Sequence, residues 1–458
     1  MANSFFDENT IDDILDEIEM VYLNDNRPWI IGYSGGKDST TVCLLVFKML
    51  LRLPPQKRTK DVYVVSSDTM VENPIIIEYL REMSLIMGKS AAEQNLNLFT
   101  HMVKPQIEDT FWTLVIGRGY PTPEPPGFRW CTDRLKINPS NKFIRDTLKD
   151  NEEVIVLLGV RKAESIARGR RIASREIEGK LLNKHEVIAG AYVYNPITEL
   201  TTEDVWKLLL DDNGLSPWGT DNNYLLSLYK NSDGGECPFT ITTTHKEKDT
   251  PTCGNTRFGC WICTMVKEDK SLKGFIESGE EWLIPLSEFR DWLISKRSCS
   301  DLRDRKRRNG AIYKKGDGSF GLGPFHLDGR RQILEELLRT QLKINVELIT
   351  IEELKKIDEL WDSEGDLSCR MLVDTYKKIC GKELPWDKYK KPIYEDDLIS
   401  ELQNFCNEYG VPFELMSKLI ISVNKNKHLT NKPVLRKDFD KILNEMWLHY
   451  DNMMAGIE

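Results

Sequence analysis

The sequence predicts an α/β fold, a mostly parallel sheet covered by helices, followed by a mainly α-helical C-terminal region. Short β-branched runs alternate with helical periodicity through the first half of the chain. A Gly-Gly turn falls directly between the first of these strands and the first helix, and beyond Lys267 the pattern is helical almost to the end. The run from Pro28 to Tyr33 is compact and mostly apolar, as a strand buried on both faces requires. From Asp38 to Leu51, the residues Val42, Leu45, Val46, Met49 and Leu50 recur at helical spacing. A second strand follows from Asp61 to Ser66, then a helix from Pro74 to Met87, and further strands at 97–104 and 153–160. In sheets of this kind ligands bind beyond the carboxyl ends of the strands.

After about residue 230 the composition changes. Residues 231–255 are rich in Asp, Gly, Thr and Pro and show little periodicity, the mark of a long loop. Long loops without regular structure are usually functional. The stretches at 332–339 and 350–357 are helical in pattern. The expected division is therefore a nucleotide-binding α/β domain at 20–230, a cysteine-bearing loop at 231–270 and a helical domain at 271–458.

Of the 458 residues, 40% are hydrophobic and 29% charged, which permits a sizeable core and excludes wholesale disorder. No run approaches the ~18 uncharged apolar residues of a membrane span; Thr41 to Leu53 is broken by Lys48 and Arg52. The N-terminus is acidic and lacks the basic flank of a signal peptide. A soluble, cytoplasmic chain without a membrane partner is expected. The 63 Lys and Arg against 72 Asp and Glu give a net charge of -9, which argues against indiscriminate nucleic-acid binding but leaves room for a local basic patch.

The sharpest signal is Ser34-Gly35-Gly36-Lys37-Asp38-Ser39-Thr40. Two adjacent glycines let the backbone approach an anion closely and adopt positive φ. The N–H groups at the helix start then face phosphates, helped by the helix dipole. Ser34, Ser39 and Thr40 add hydroxyls and Lys37 adds a positive charge. The competing reading is an ordinary turn with Asp38 or Ser39 as helix N-cap; the strand before it and the helix after it weigh against that. The spacing is neither Walker A nor GxGxxG.

This loop resembles the PP-loop of the ATP pyrophosphatases, a superfamily that cleaves ATP between its α and β phosphates and activates a substrate as the adenylate. The resemblance implies a PP-loop, adenine nucleotide α-hydrolase-like fold. It implies that Ser34 to Thr40 hold ATP, with Asp38 close to a Mg²⁺ ion and Lys37, Asp38 and Ser39 in catalytic positions. Further segments follow in the order found in sulfonucleotide reductases, a branch of that superfamily. Ser66 to Thr69 ends the second strand, where relatives place a residue near the adenosine. The run from Arg129 to Lys136 resembles their cysteine- and lysine-containing segment. Gly159 to Ser165 looks like their GxRxxES signature, and Asn195 to Trp206 matches the segment before their last core helix. These matches cover roughly residues 25 to 215. Asp68 is then a nucleotide contact or a solvated strand-end carboxylate. Arg161 is a nucleotide contact or the partner of Glu164 in a structural ion pair. Arg168, Arg170 and Arg171 form a basic run suited to phosphates or simply to solvent.

Ten cysteines without a secretory signal do not make a disulfide scaffold, but Cys237, Cys253, Cys260 and Cys263 fall within 27 residues. Four thiolates ligate either Zn²⁺ or an iron–sulfur cluster, and one C-x2-C pair does not separate the two. Cys299 is an alternative to Cys237. Together, the loop, the motifs, this cysteine arrangement and the helical C-terminal half resemble the DndC-type sulfurtransferases of bacterial DNA phosphorothioation. The resemblance implies a [4Fe–4S] cluster on Cys237, Cys253, Cys260 and Cys263. It also implies DNA as substrate, a cysteine desulfurase as sulfur source and other subunits of the modification complex as partners. Cys131 is then a persulfide carrier or a buried thiol.

The densest basic stretch is Arg303, Arg305, Lys306, Arg307 and Arg308, with Lys296 and Arg297 before it and Lys314 and Lys315 after. It is either a solvated helix end or an electrostatic footprint for DNA phosphates. Two other readings compete for the whole chain. One is a sulfonucleotide reductase, opposed by the lack of any cysteine after Cys406. The other is a non-catalytic DNA-binding subunit, opposed by the intact loop.

Overall fold

Four parallel strands form the centre of the sheet in the computed structural model, which describes residues 4–125, 127–164, 180–233, 259–312, 314, 320–428 and 432–445. They are β1 (Trp29–Gly32), β2 (Val62–Ser67), β3 (Leu98–Val103) and β4 (Val154–Leu157). Two further strands, β5 (Asn183–Lys184) and β6 (Ala191–Tyr194), complete six in the order β3-β2-β1-β4-β6-β5. All neighbours run parallel except β5 against β6. Trp29 lies opposite Val62 on one side and Ile155 on the other, which fixes β1 at the centre. Trp29, Ile30 and Ile31 are all buried, as a strand covered on both faces requires.

The first unit comprises Met1–Pro105 and Arg129–Glu281. Helix α1 (Ile11–Leu23) starts with a capping box in which Thr10 and Asp13 satisfy each other's backbone N–H groups. Helix α2 (Lys37–Arg52) is buried along nearly its whole length and packs beside α1. Helix α3 (Pro74–Glu93) lies against β3. Helix α4 (Asn138–Asp150) sends Ile144 into a core shared with Ile30, Val65, Val154 and Val156. Then come α5 (Thr202–Leu210), α6 (Asn222–Asp233) and α7 (Lys270–Glu277).

The second unit comprises Gln106–Phe128 and Trp282–Glu458. Its described helices are α8 (Ile284–Arg297), α9 (Leu327–Ile344), α10 (Ile351–Glu364), α11 (Met371–Cys380), α12 (Asp396–Tyr409), α13 (Phe413–Asn426) and α14 (Lys432–Leu443). Two stretches fall on the other side of the boundaries expected from composition. Residues 106–128 belong here because the indoles of Trp112 and Trp361 donate to the carbonyls of Leu348 and Ile116, each at 2.8 Å. Residues 271–281 belong to the first unit, where α7 packs on α6. Among the described residues, no helix is long and apolar enough to cross a membrane.

Candidate functional site

The loop after β1 is shaped by its glycines. Gly35 has φ +71°, and a Cβ there would lie 2.7 Å from a Leu80 methyl, so both conformation and space demand glycine. Gly36 is the extended residue before α2, and its carbonyl accepts from the Thr40 N–H at 3.0 Å. The same carbonyl accepts from the Ser39 hydroxyl at 3.0 Å and the Thr40 hydroxyl at 2.9 Å. Ser34 closes the loop, its N–H donating to Ser39 Oγ at 3.2 Å. The hydroxyls of Ser39 and Thr40 brace the loop, which also presents backbone N–H groups, the Ser34 hydroxyl and Lys37.

Lys37 is buried. Its ammonium sits 3.4 Å from the Asp38 carboxylate and 5.3 Å over the ring of Tyr229, a cation–π contact. Its N–H donates to the Tyr229 hydroxyl at 2.9 Å. Asp38 is held from behind by Arg161, whose Nε donates at 2.7 Å. The same guanidinium reaches the Leu200 carbonyl and the Thr202 hydroxyl and is 1% exposed. Arg161 therefore supports the loop through Asp38, and the ion pair it makes is with Asp38, 123 residues away in sequence. The side chain of Glu164 and the run at 168–171 lie outside the described residues. Gly159 has a plain steric role: a Cβ there would lie 2.8 Å from the Asp38 carbonyl and 2.9 Å from the Ser39 nitrogen.

At the end of β2, Asp68 is buried, not solvated. Its carboxylate accepts the Met70 N–H at 2.8 Å and pairs with Arg81 at 3.3 Å and Lys104 at 3.6 Å. The next turn carries Glu72, which accepts from the Thr69 hydroxyl at 3.0 Å and pairs with Lys136 at 3.1 Å. Onto this turn docks the C-x2-C hairpin. Trp261 N–H donates to the Val71 carbonyl at 3.1 Å, and buried Trp261, Ile262 and Met265 anchor the segment. Cys260 Sγ lies 3.5 Å from the Thr69 hydroxyl and 3.8 Å from a Glu72 oxygen. Burial, and then the charge of Glu72, push the Cys260 thiol well up from its ordinary range.

The turn closed by the Cys263 N–H on the Cys260 carbonyl, 3.0 Å, sets the two thiols on one hairpin, which suits two ligands of a shared metal group. Cys237 and Cys253 lie outside the described residues, and Cys299 lies in the second unit. Among the described residues, no group of three or more His, Cys, Asp or Glu is arranged to hold a metal ion. That includes Asp38, whose carboxylate is engaged by two cations.

Part of the basic stretch is tied down within the second unit, while Arg305, Arg307 and Arg308 are exposed. Arg303 is 6% exposed and donates to the carbonyls of Gly323 and Arg297, each at 2.6 Å. Lys306 pairs with Glu414 at 3.3 Å and Glu445 at 3.9 Å. Arg308 pairs with Glu364 at 2.9 Å and donates to the Arg118 carbonyl. Arg303 is thus committed to the protein's own carbonyls, while Lys306 and Arg308 carry intramolecular ion pairs.

Sequence reasoning missed Tyr229 and Glu72. Tyr229 sits in a buried helical pattern with Leu225, Leu226 and Leu228, so nothing in its spacing separates it from a core aromatic.

A glycine-shaped loop between a central parallel strand and its helix, backed by Gly159 and Arg161 from beyond the neighbouring strand, stands in a mostly parallel sheet of the PP-loop type. The chain belongs to the phosphoadenosine phosphosulfate reductase domain family, whose model matches residues 28–265, more than half of its length. Over 193 residues, 42% of this chain, it is 26% identical to an uncharacterized protein of Methanocaldococcus jannaschii, and it spans 33% of that protein's length. Solved structures with a likeness include the PAPS reductase of Candida auris in a phosphate complex, at 14% identity, covering 49% of this chain and 87% of that one, with a TM-score of 0.29. The U34-tRNA thiolase NcsA of Methanococcus maripaludis with its [4Fe–4S] cluster is 13% identical, covering 62% and 79%, with a TM-score of 0.29. Neither likeness bears on function at such scores.

Proposed function

We propose that the chain is an ATP-dependent sulfurtransferase that activates a DNA backbone phosphate for replacement of a non-bridging oxygen by sulfur. The observation that carries this is the loop: Gly35 and Gly36 open the backbone, and Lys37 stands at the start of α2. ATP enters as its magnesium complex. A DNA phosphate oxygen attacks the α-phosphorus, the bond to the β-phosphate breaks, and pyrophosphate leaves. Adenylation matters because an oxide is a very poor leaving group and AMP is a good one. Lys37 offsets charge on the departing pyrophosphate, while Arg161 holds Asp38 and with it the first turn of α2. A persulfide supplied by a cysteine desulfurase then forms the P–S bond and displaces AMP. A thiol cleaves the remaining sulfur–sulfur bond and is left as a disulfide.

A [4Fe–4S] cluster would be held by Cys260 and Cys263 together with Cys237 and Cys253, and would supply electron-transfer or sulfur-binding chemistry. Arg305 and Arg307 are the members of the basic stretch proposed to meet DNA. The test is phosphorothioate formation on DNA with ATP, cysteine and a desulfurase, read as phosphorothioate dinucleotides after nuclease digestion. Lys37→Ala should abolish the product; full activity in that variant removes ATP activation from the mechanism. Family membership also favours a sulfonucleotide reductase. Sulfite release from phosphoadenylyl sulfate, with no DNA product, would establish that reading instead.

A further inference from the structure

We propose that the Tyr229 hydroxyl occupies a phosphate-oxygen position of the loop and must leave it when a nucleotide binds. The proposal rests on the reading of the loop as a phosphate cradle. An oxygen accepting from a backbone N–H sits about 2.7–3.2 Å from the nitrogen. The Tyr229 oxygen already stands 2.9 Å from the Lys37 nitrogen, so a phosphate oxygen using that N–H would fill the same space. The tyrosine also faces the other group that the loop's chemistry needs, because the Lys37 ammonium lies over its ring. A Cβ built on Gly36 would come within 3.1 Å of the same hydroxyl, which shows how closely the phenol is pressed into the turn.

The ring does not move freely. Tyr229 is 7% exposed and packs edge-on against Trp206, with centroids 5.3 Å apart and planes at 89°. Displacing the hydroxyl therefore moves the ring against Trp206 on α5.

The test is pyrophosphate binding by calorimetry on the full chain and on Tyr229→Phe, which keeps the ring and removes the competing oxygen. Freeing one neutral hydrogen bond predicts a Kd about three- to tenfold lower in the variant. An unchanged Kd overturns the proposal. A higher Kd also overturns it and makes the hydroxyl a phosphate donor. Hydrogen exchange on the wild-type chain gives a second readout that needs no variant. Pyrophosphate should protect residues 34–40 and speed exchange in 222–233; protection of both segments contradicts displacement. If the wild-type chain binds no pyrophosphate, the phosphate reading of the loop fails and takes this proposal with it. Binding with an unchanged variant Kd removes the tyrosine proposal alone.

Discussion

Gly159 lies at the end of β4 with no positive φ, so alanine there meets only a problem of space. Its Cβ would stand 2.8 Å from the Asp38 carbonyl carbon and oxygen and 2.9 Å from the Ser39 nitrogen. Ordinary contact begins near 3.4 Å, so the loop and the strand end must separate by about 0.6 Å. All three facing atoms are backbone and cannot rotate away. Overpacking of this sort costs about 1–3 kcal/mol, and a binding site tolerates displacement of about 0.5 Å. Gly159→Ala should therefore remain folded, melt a few degrees lower, and bind pyrophosphate and ATP about tenfold more weakly. Gly127→Ala, with nothing within 4 Å, serves as the control and should change neither quantity. Calorimetric Kd values and thermal melts of both variants decide it. A folded Gly159→Ala chain with the wild-type Kd would refute the claim that the Asp38–Ser39 backbone forms the cradle.

Arg161→Gln removes the strong partner of a largely buried carboxylate and should cost about 3 kcal/mol in urea denaturation; a loss under 1 kcal/mol would contradict the buttress role. Arg303→Ala should destabilise the second unit while leaving DNA affinity in the folded chain unchanged. Arg307→Ala should instead lower the salt slope of DNA binding by about 1 without a stability change, both read by anisotropy across a salt series. Burial pushes the Glu353 carboxyl up to about 7, against an ordinary value of 4.5, and raises Asp304 and Asp362 to about 6. Across that window the folded chain keeps protons that the unfolded chain has released, so stability falls as pH rises from 4.5 through 7. Glu353→Gln preserves the capping pair with Thr350 and should flatten this slope by about 3 kcal/mol in total. An unaltered pH dependence of Tm would show that the burial of Glu353 carries no such penalty.

The central strands and α2 were legible because each is buried and continuous in pattern: Trp29 to Ile31 and Val154 to Leu157 leave no polar position to read otherwise. β6 was not, because its four residues include Tyr192 and Tyr194, whose hydroxyls reach Glu153 and Glu17 on other elements. Helix α1 was hidden inside an acidic N-terminus, although Thr10 and Asp13 carry its cap in plain view. In the site, glycine chemistry is local: Gly35 adopts the positive φ that the turn implied, whereas Gly36 is extended. The partner of Asp38 is 123 residues away, and only the fold brings Arg161 to it. The ion pairs of the basic stretch were hidden for the same reason: Glu364, Glu414 and Glu445, remote in sequence, meet Lys306 and Arg308 only in the fold.

The proposed function turns on cleavage of ATP between its α and β phosphates, dependent on DNA. Incubating the full chain with ATP labelled at both the α and γ phosphates, Mg²⁺, DNA, cysteine and a cysteine desulfurase, and separating AMP, ADP and pyrophosphate, observes it directly. AMP and pyrophosphate should form in equal amounts, should require DNA, and should be lost in Lys37→Ala. Formation of ADP, or AMP formation that persists in Lys37→Ala, would contradict the assignment.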